Sequence, residues 1–142
     1  MIETGRRIAP RVSLPFTIRD AMIEHARREF PKEACGLLGG PRGTIEAIYP
    51  MRNADDSAVT YRLDPTEQLR AFREIEDRGW DLIAIYHSHT HSEAYPSVTD
   101  RRLAFYPEAV YVLVSLAAPE DPVVRAFSIR DGDVDELEVT VS

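Results

Sequence analysis

The segment that most constrains the fold of this chain is an apolar strand pattern that ends in closely spaced histidines. The pattern covers residues 81–87 and contains the apolar run Leu-Ile-Ala-Ile at 82–85. Side chains alternate between the two faces of a strand, so His87 and His89 are expected to share one face. After a short loop, Ser97 begins a predicted helix over 98–105, with Asp100 in its first turn. The sequence thus predicts that a strand end and a helix N-terminus both carry polar side chains.

Two further segments have the periodicity of amphipathic helices. The first is predicted to run from Thr17, with Asp20 completing a capping pattern, to the residue before Pro31. Its apolar stripe repeats every four residues: Ile18, Met22, Ala26 and Phe30. The second is predicted to begin at Asp64 and to end at Gly79. Its buried face is predicted to consist of Leu69, Phe72 and Ile75.

The remaining strand patterns cover 34–38, 44–51, 111–116, 123–129 and 134–141. The run at 111–116 is almost continuously apolar, which predicts burial on both faces. The last two strands are joined at 131–133 by Asp-Gly-Asp, which indicates a hairpin. Strands interleaved with helices predict one α/β domain around a mixed sheet. We assign residues 1–142 to this domain, with 1–10 as a loose lead-in.

The composition restricts the function classes that are open to this domain. With a net charge of −7 and scattered arginines, the chain lacks the basic stripe that nucleic-acid binding requires, so no nucleic-acid partner is expected. No apolar run approaches the ~20 residues that span a bilayer, so no membrane partner is expected. The first residues lack the apolar stretch of a secretory signal, and the expected location is the cytoplasm. The single cysteine, Cys35, allows no internal disulfide.

The histidine pair has the spacing of a metal site. Residues two apart on a strand lie ~6.5–7 Å apart, close enough for both imidazoles to reach one ion at ~2.0–2.1 Å. A third ligand must come from another element, and Asp100 is the best candidate because carboxylate oxygens ligate zinc. The fourth position is then left for water, whose pKa zinc lowers to about 7. Alternatively, the histidines are buried hydrogen-bonding residues, and Ser97 and Asp100 form only a capping box; both roles of Asp100 can coexist.

The other two histidines are assigned different roles. His91 would continue the same strand face, but the segment from Thr90 has the composition of a loop, so His91 is expected to line a groove. His25 is predicted to be a surface residue of the first helix. The predicted groove walls are residues 39–40, the loop 53–57 and the loop 90–95.

A glutamate ahead of a short strand completes a larger pattern. Glu33 precedes Cys-Gly-Leu-Leu-Gly at 35–39, and His-x-His, seven residues and Ser-x-x-Asp follow later in the chain. This order resembles the JAMM, or MPN-plus, metalloprotease signature over nearly the whole chain. The resemblance implies a single MPN-like α/β domain with a mixed, curved sheet flanked by helices, as in cytidine-deaminase-like folds. The chain departs from many members at Thr90, where they have proline.

The resemblance also implies a role for each matching position. His87, His89 and Asp100 match the ligands of one zinc ion. Glu33 matches the glutamate that contacts the zinc-bound water and shuttles its proton, and Ser97 matches the serine that helps to stabilise the oxyanion. This agrees with the chemistry, because amide hydrolysis needs a base for water and an acid for the leaving amine, and one carboxylate can act as both in turn.

Shorter segments at 61–64, 86–90, 93–97 and 111–115 narrow the resemblance to bacterial members that act on a ubiquitin-like sulfur carrier protein. It implies such a carrier, with a C-terminal diglycine tail, as the substrate. The leaving group would be cysteine, in cysteine biosynthesis, or a lysine of a tagged protein. Relatives also suggest a homodimer.

Three alternative functions remain open at this point. The first is a non-catalytic MPN-type scaffold, and the second is a zinc hydrolase of a small amide. The third makes Cys35 a nucleophile paired with a histidine, although its apolar strand favours a buried structural residue.

Overall fold

Seven strands and three helices make up residues 11–142, which are the residues that this computed structural model describes. The strands are β1 (Arg11–Leu14), β2 (Cys35–Gly40), β3 (Ala47–Met51), β4 (Asp81–His89), β5 (Val110–Ser115), β6 (Val123–Arg130) and β7 (Asp133–Val141). The helices are α1 (Phe16–Glu29), α2 (Pro65–Asp77) and α3 (Val98–Arg102). The predicted lead-in at 1–10 lies outside the described residues.

The strands form one mixed sheet in the order β1-β7-β6-β5-β4-β2-β3. β4 lies near the middle, antiparallel to β2 and parallel to β5. β6 and β7 form the predicted hairpin, whose turn residues Asp131 and Gly132 have φ angles of 52° and 82°. The predicted α/β domain with a mixed sheet and flanking helices is therefore confirmed.

A core of apolar side chains lies on each face of the sheet. On one face, Met22 and Ala26 of α1 pack with Tyr86 of β4. On the other face, Ala71 of α2 packs with Ile85 of β4. Because side chains alternate along β4, its histidines at 87 and 89 belong to the α2 face. β5 contributes to both cores and is buried on both faces, as predicted.

Glycine is needed in β2 for close packing against β4. A Cβ at Gly36 would lie 2.5 Å from the ring of Tyr86 and 2.5 Å from the carbonyl oxygen of Tyr49. Residues 39–40 also continue β2 and do not end it. They pair with Leu82 and Asp81, at the end of β4 opposite to the histidines. The prediction that residues 39–40 form a groove wall is therefore wrong.

The helix predictions are correct in place but wrong in detail. α1 begins at Phe16, after Pro15, and no side chain caps it, so the capping pattern predicted for Thr17 is not formed. Leu69 is 52% exposed, whereas Ala71 is buried. The two residues are about 200° apart around the helix axis, and Ala71 lies on the stripe that faces the sheet. The last helix is shorter than predicted, since α3 ends at residue 102.

His25 is the clearest error, because the predicted surface residue is only 4% exposed. It follows Met22 by three residues, which places it on the inner stripe of α1. Its Nδ1 lies 2.8 Å from the hydroxyl oxygen of Tyr86. The prediction for Phe30 is wrong in the opposite sense. Its spacing predicts a place in the apolar stripe of the helix, but it is 45% exposed just beyond the end of the helix.

Candidate metal centre

The two histidines lie where β4 is enclosed by a strand on each side. Residues 84–89 of β4 are all buried, and His87 and His89 are 1% and 4% exposed. Because the two residues are two positions apart on one strand, their imidazole rings point to the same face of the sheet. Their Nε2 atoms are 3.3 Å apart. The strand thus brings two nitrogen donors to one point.

Asp100 reaches the same point from the first turn of α3. Its backbone N–H donates to Ser97 Oγ at 3.0 Å, and its Oδ2 accepts from the Ser97 N–H at 3.0 Å. This capping box fixes the carboxylate. The same Oδ2 lies 3.2 Å from His87 Nε2 and 2.9 Å from His89 Nε2. Asp100 therefore acts as a helix cap and faces both histidines, as the sequence allowed.

The three atoms fit a tetrahedrally coordinated cation. Ligand atoms ~2.0–2.1 Å from such an ion are roughly 3.3 Å apart, close to the three distances found here. The Nδ1–H of His89 donates to the Glu93 carbonyl at 2.7 Å, so in a neutral ring Nε2 carries a lone pair. That lone pair faces a carboxylate oxygen, an arrangement that requires a cation or a proton between them. The donor set therefore fits a metal ion.

The electrostatics of the triad agree with this fit. Burial raises the pKa of Asp100, but hydrogen bonds from His87 and His89 outweigh burial and hold that pKa well below its usual range. Burial lowers the pKa of His89, yet its hydrogen bonds to Asp100 and to the Glu93 carbonyl leave the net pKa raised. Burial lowers the pKa of His87. An ionised carboxylate beside imidazoles is the arrangement in which zinc is held.

Glu33 is held beside the histidine end of β4 by its neighbour in the chain. The Ala34 N–H donates to Ser88 Oγ at 2.8 Å, and the Ser88 N–H donates to the Ala34 carbonyl at 3.0 Å. Glu33 is 4% exposed, and its Oε1 has no hydrogen-bond partner among the residues that the structure describes. A buried carboxylate oxygen without a partner is costly, and such groups are frequently found at functional sites.

Burial raises the pKa of Glu33 to about 8. The nearby His89 acts against this rise, and the negative charge of Asp100 adds to it. A cation held by the triad would favour the ionised form of Glu33. A carboxyl group whose pKa lies near neutrality can take up and return a proton during a reaction.

An open recess of about 320 Å³ lies over Glu33, His89 and Ser97. Its other walls come from two loops, at 58–59 and 90–92. His91 lines this recess from the loop, as predicted, and its ring is 5.5 Å from that of Phe30. Of the predicted groove walls, the loop 90–95 thus contributes to this recess, whereas the loop 53–57 does not line it and its place is taken by residues 58–59.

Two residues that support the site were missed by the sequence analysis. Asn53 is 7% exposed, and its side chain donates to the carbonyls of Glu33 and Thr60. Tyr61 stacks on His87 with a ring-centroid distance of 4.2 Å. A lone asparagine in a polar loop has no local signal for this role. Tyr61 belonged to a segment that carried the family resemblance, but nothing local linked it to His87.

The structure argues against Cys35 as a nucleophile. Burial and, to a smaller extent, the negative charge of Glu33 raise the pKa of the Cys35 thiol to about 12. The Sγ atom faces the Met51 carbonyl at 3.9 Å, and the side chain is fully buried. A reactive cysteine needs an accessible thiolate. Cys35 is therefore a structural residue of the core.

A strand-borne histidine pair, a helix-capping aspartate and a buried glutamate over an open recess are an arrangement that metal-dependent hydrolases use. Residues 17–130 match the family model for prokaryotic homologues of the JAB domain. The chain belongs to this family, and the JAMM resemblance noted in the sequence is confirmed.

Known relatives agree with this assignment. A CysO-cysteine peptidase of Mycobacterium tuberculosis is 50% identical over 124 residues, which cover 86% of this chain and 85% of the relative. A desampylase of Haloferax volcanii is 39% identical and covers 74% of this chain and 81% of its own length. A solution structure from Desulfitobacterium hafniense is 40% identical, covers 92% of each chain and has a TM-score of 0.84.

Because its relatives in this family are peptidases, we assign this chain to the hydrolases. The alternative of a non-catalytic scaffold is thereby set aside. Within residues 11–142, no helix has the length and apolar character needed to cross a membrane.

Proposed function

We propose that this protein is a zinc-dependent peptidase that hydrolyses the bond after the C-terminal glycine of a small ubiquitin-like sulfur carrier protein. The observation that carries the proposal is the triad of His87, His89 and Asp100 beside Glu33, whose Oε1 has no partner within residues 11–142. The substrate class is supported by relatives named CysO-cysteine peptidase and desampylase. The leaving group is free cysteine, for cysteine biosynthesis, or a lysine amine of a tagged protein.

The triad would hold one zinc ion through two imidazole nitrogens and one carboxylate oxygen. This donor set is that of catalytic zinc sites, which keep one coordination position open. When bound, the ion polarises the scissile carbonyl and lowers the pKa of a water ligand. The remaining steps fall to the side chains of this chain.

Glu33 would carry the proton between the attacking water and the leaving amine. Its free Oε1 shares the recess with His89 and Ser97. Glu33 accepts a proton from the water and delivers it to the amine nitrogen as the C–N bond breaks, so the carboxylate is restored in each cycle. Burial favours the protonated form of Glu33 that the second half of this cycle needs, and a cation in the triad would favour the ionised form that the first half needs.

Ser97 would stabilise the negative charge that develops on the carbonyl oxygen. Its Oγ already accepts a hydrogen bond from the Asp100 N–H, so its hydroxyl proton is available to donate. Ser97 lines the recess, where that proton can reach a substrate oxygen. A donor of this kind typically contributes about 10²–10³-fold to the rate.

The recess favours a narrow, extended substrate segment. A volume of about 320 Å³ holds a short piece of chain and excludes a folded domain. Two glycines have no side chains, so they are the residues that pass most easily between the walls at Val59 and His91. We place the reaction in the cytoplasm, which suits a chain whose described cysteine is a free thiol.

The test uses a sulfur carrier protein that bears a cysteine after its C-terminal diglycine. The zinc-loaded enzyme is expected to shorten the carrier by one cysteine residue, read as intact mass. Glu33→Gln is expected to slow this cleavage by about 10²–10⁴-fold. Glu24→Gln, on the exposed face of α1, is the matched control and should cleave normally. Unchanged carrier mass with zinc-loaded wild-type enzyme would contradict the proposed substrate.

A second substrate distinguishes the two leaving groups. The same carrier joined through its terminal glycine to a protein lysine is incubated in parallel, and release of both proteins is followed by electrophoresis. Cleavage of this conjugate alone assigns the lysine amine, and cleavage of the cysteine adduct alone assigns free cysteine. Activity that survives complete zinc removal by a chelator would contradict the metal-dependent mechanism.

A further inference from the structure

The two candidate histidine ligands are held in different ways. A histidine that binds a metal almost always donates a hydrogen bond from its other ring nitrogen, which fixes the orientation of the ring. His89 follows this rule through its Nδ1–H and the Glu93 carbonyl at 2.7 Å. The Nδ1 of His87 is buried and has no partner among the residues that the structure describes. Another contact must therefore orient the His87 ring.

That contact is the ring of Tyr61, which lies almost parallel to the imidazole. The ring centroids of Tyr61 and His87 are 4.2 Å apart, and their planes differ by 19°. A parallel neighbour at this distance opposes rotation of the imidazole, because a rotated ring would overlap with it. His89 meets the His87 ring at an interplanar angle of 60° with a centroid distance of 5.1 Å, which leaves one face of His87 to Tyr61.

Tyr61 is itself held on both sides by one buried amide. The Asn53 side chain accepts from the Arg62 N–H at 3.1 Å and donates to the Thr60 carbonyl at 2.9 Å. A bridge between Asn53 and Leu63 fixes the next residue of the same segment. The backbone on each side of Tyr61 is thus anchored, so its ring can act as a firm wall.

We propose that Tyr61 is a positioning residue that orients His87 for metal binding in place of the hydrogen bond that His87 lacks. This inference rests on the proposed function, since it assumes that the triad binds the ion. Metal coordination draws positive charge onto the imidazole, and the negative face of an aromatic ring stabilises that charge. The stacking therefore strengthens when the ion is bound, and its loss weakens metal affinity.

The experiment measures the affinity for Zn²⁺ by competition with a chelating indicator. Tyr61→Leu is expected to weaken zinc binding by about 10-fold or more, as supporting contacts of metal ligands usually do. Tyr61→Phe keeps the ring and is expected to bind as the wild type does. Tyr106→Leu is the matched control. Tyr61 and Tyr106 both line a second cavity of about 260 Å³, distinct from the recess over the triad, but Tyr106 packs against Phe72.

The visible absorption of bound Co²⁺ gives a second reading that does not depend on activity. Tyr61→Leu is expected to change the d–d bands, because the His87 ring is free to tilt, and Tyr61→Phe is expected to leave them unchanged. If Tyr61→Leu does not fold by circular dichroism, Tyr61→Met, which keeps much of the buried volume without a ring, carries the same expectation. Wild-type affinity and bands in the folded non-aromatic variant would overturn the proposal.

A reference variant separates this inference from the proposed function. His87→Ala is expected to lower zinc affinity far more than Tyr61→Leu. If wild type and His87→Ala bind zinc equally well, the triad is not the metal site, and the proposed function fails. If His87→Ala loses zinc and Tyr61→Leu does not, only the role of Tyr61 fails.

Discussion

At the scale of single residues, the segment beside the site contains two buried ionisable groups. One can take part in chemistry and the other cannot. Glu33 has a carboxylate oxygen that no other described residue contacts by a hydrogen bond, and Glu33 lines the recess over the triad. Cys35, two residues later, is enclosed by the α2-side core and faces a backbone carbonyl. The same short segment therefore carries one group that is available for chemistry and one that is not.

The thiol of Cys35 is expected to be inert in the folded protein. A pKa of about 12, against an ordinary 9.0, lowers the thiolate fraction at pH 8 on the order of a thousandfold, and burial blocks access as well. Reaction with an aromatic disulfide reagent should therefore be very slow until denaturant is added, when one thiol per chain reacts. Rapid labelling of the native protein, or loss of peptidase activity in Cys35→Ala, would contradict this expectation.

At the scale of elements, α1 is joined to the sheet by a polar contact inside an apolar core. His25 and Tyr86 meet at 2.8 Å between Nδ1 and the hydroxyl oxygen. Burial lowers the pKa of His25, and the nearby Glu29 only partly offsets this effect. The folded state therefore holds His25 neutral at a pH at which the unfolded chain is already protonated.

This difference makes acid destabilise the protein. The unfolded state binds a proton on His25 near pH 6.5, the folded state does so only at lower pH, and stability is therefore lost as the pH falls below about 6.5. The slope contributed by His25 is up to ~1.4 kcal/mol per pH unit. Urea denaturation of zinc-free His25→Phe should give a shallower dependence between pH 6.5 and 5. A slope equal to that of the wild type would refute the assignment to His25.

Asn53 connects elements that are far apart in the sequence. Its side chain donates to the carbonyls of Glu33 and Thr60 and accepts from the N–H groups of Asp55 and Arg62, and its Nδ2 also lies 3.4 Å from the Ser57 carbonyl. One buried amide thus fixes the loop between β3 and α2 and the segment that carries Glu33.

Removal of this amide is expected to affect both stability and turnover. Asn53→Ala leaves several buried backbone groups without partners and should destabilise the fold by about 1–3 kcal/mol. Displacement of Glu33 should also lower kcat by about 10-fold or more. Asn53→Asp keeps the acceptor but loses the donors, so it should be no better than Asn53→Ala. Denaturant midpoints and single-turnover rates measure the two effects, and wild-type kcat in Asn53→Ala would argue against the link to Glu33.

At the scale of the whole molecule, exposed apolar side chains lie in and just after α3, the helix whose first turn carries Asp100. Val98, Leu103 and Phe105 are 63%, 48% and 71% exposed. Such a patch commonly marks a surface that contacts another protein. If the proposed substrate is correct, we expect the folded body of the carrier to contact this patch while its tail enters the recess over the triad.

Phe105→Glu is therefore expected to raise KM for the carrier by roughly 5–30-fold, since an exposed aromatic anchor typically contributes about 1–2 kcal/mol. Zinc affinity should not change, because Phe105 does not touch the triad. Val141→Glu, 40% exposed at the end of β7 where this strand pairs with β1, is the matched control and should keep the wild-type KM. An equal KM in both variants would exclude the patch from carrier binding.

The homodimer expected from relatives stays a prediction that sedimentation velocity can check.

The sequence by itself determined the local parts of this protein. Strand alternation puts His87 and His89 on one face, and the capping pattern puts Asp100 at a helix start; both signals lie within a few residues. The sheet hairpin at Asp131 is equally local.

Only the tertiary structure decided what depends on contacts between distant segments. The burial of His25 depends on Tyr86, and the pairing of β1 depends on β7. Asn53 and Tyr61 contact the site from loops, whose conformation cannot be predicted from hydrophobic periodicity. A local pattern encodes which face a side chain takes, but the identity of its partner is set by chain folding over tens of residues. For that reason the three side chains that meet at the candidate metal centre were predictable, and the residues that hold them in place were not.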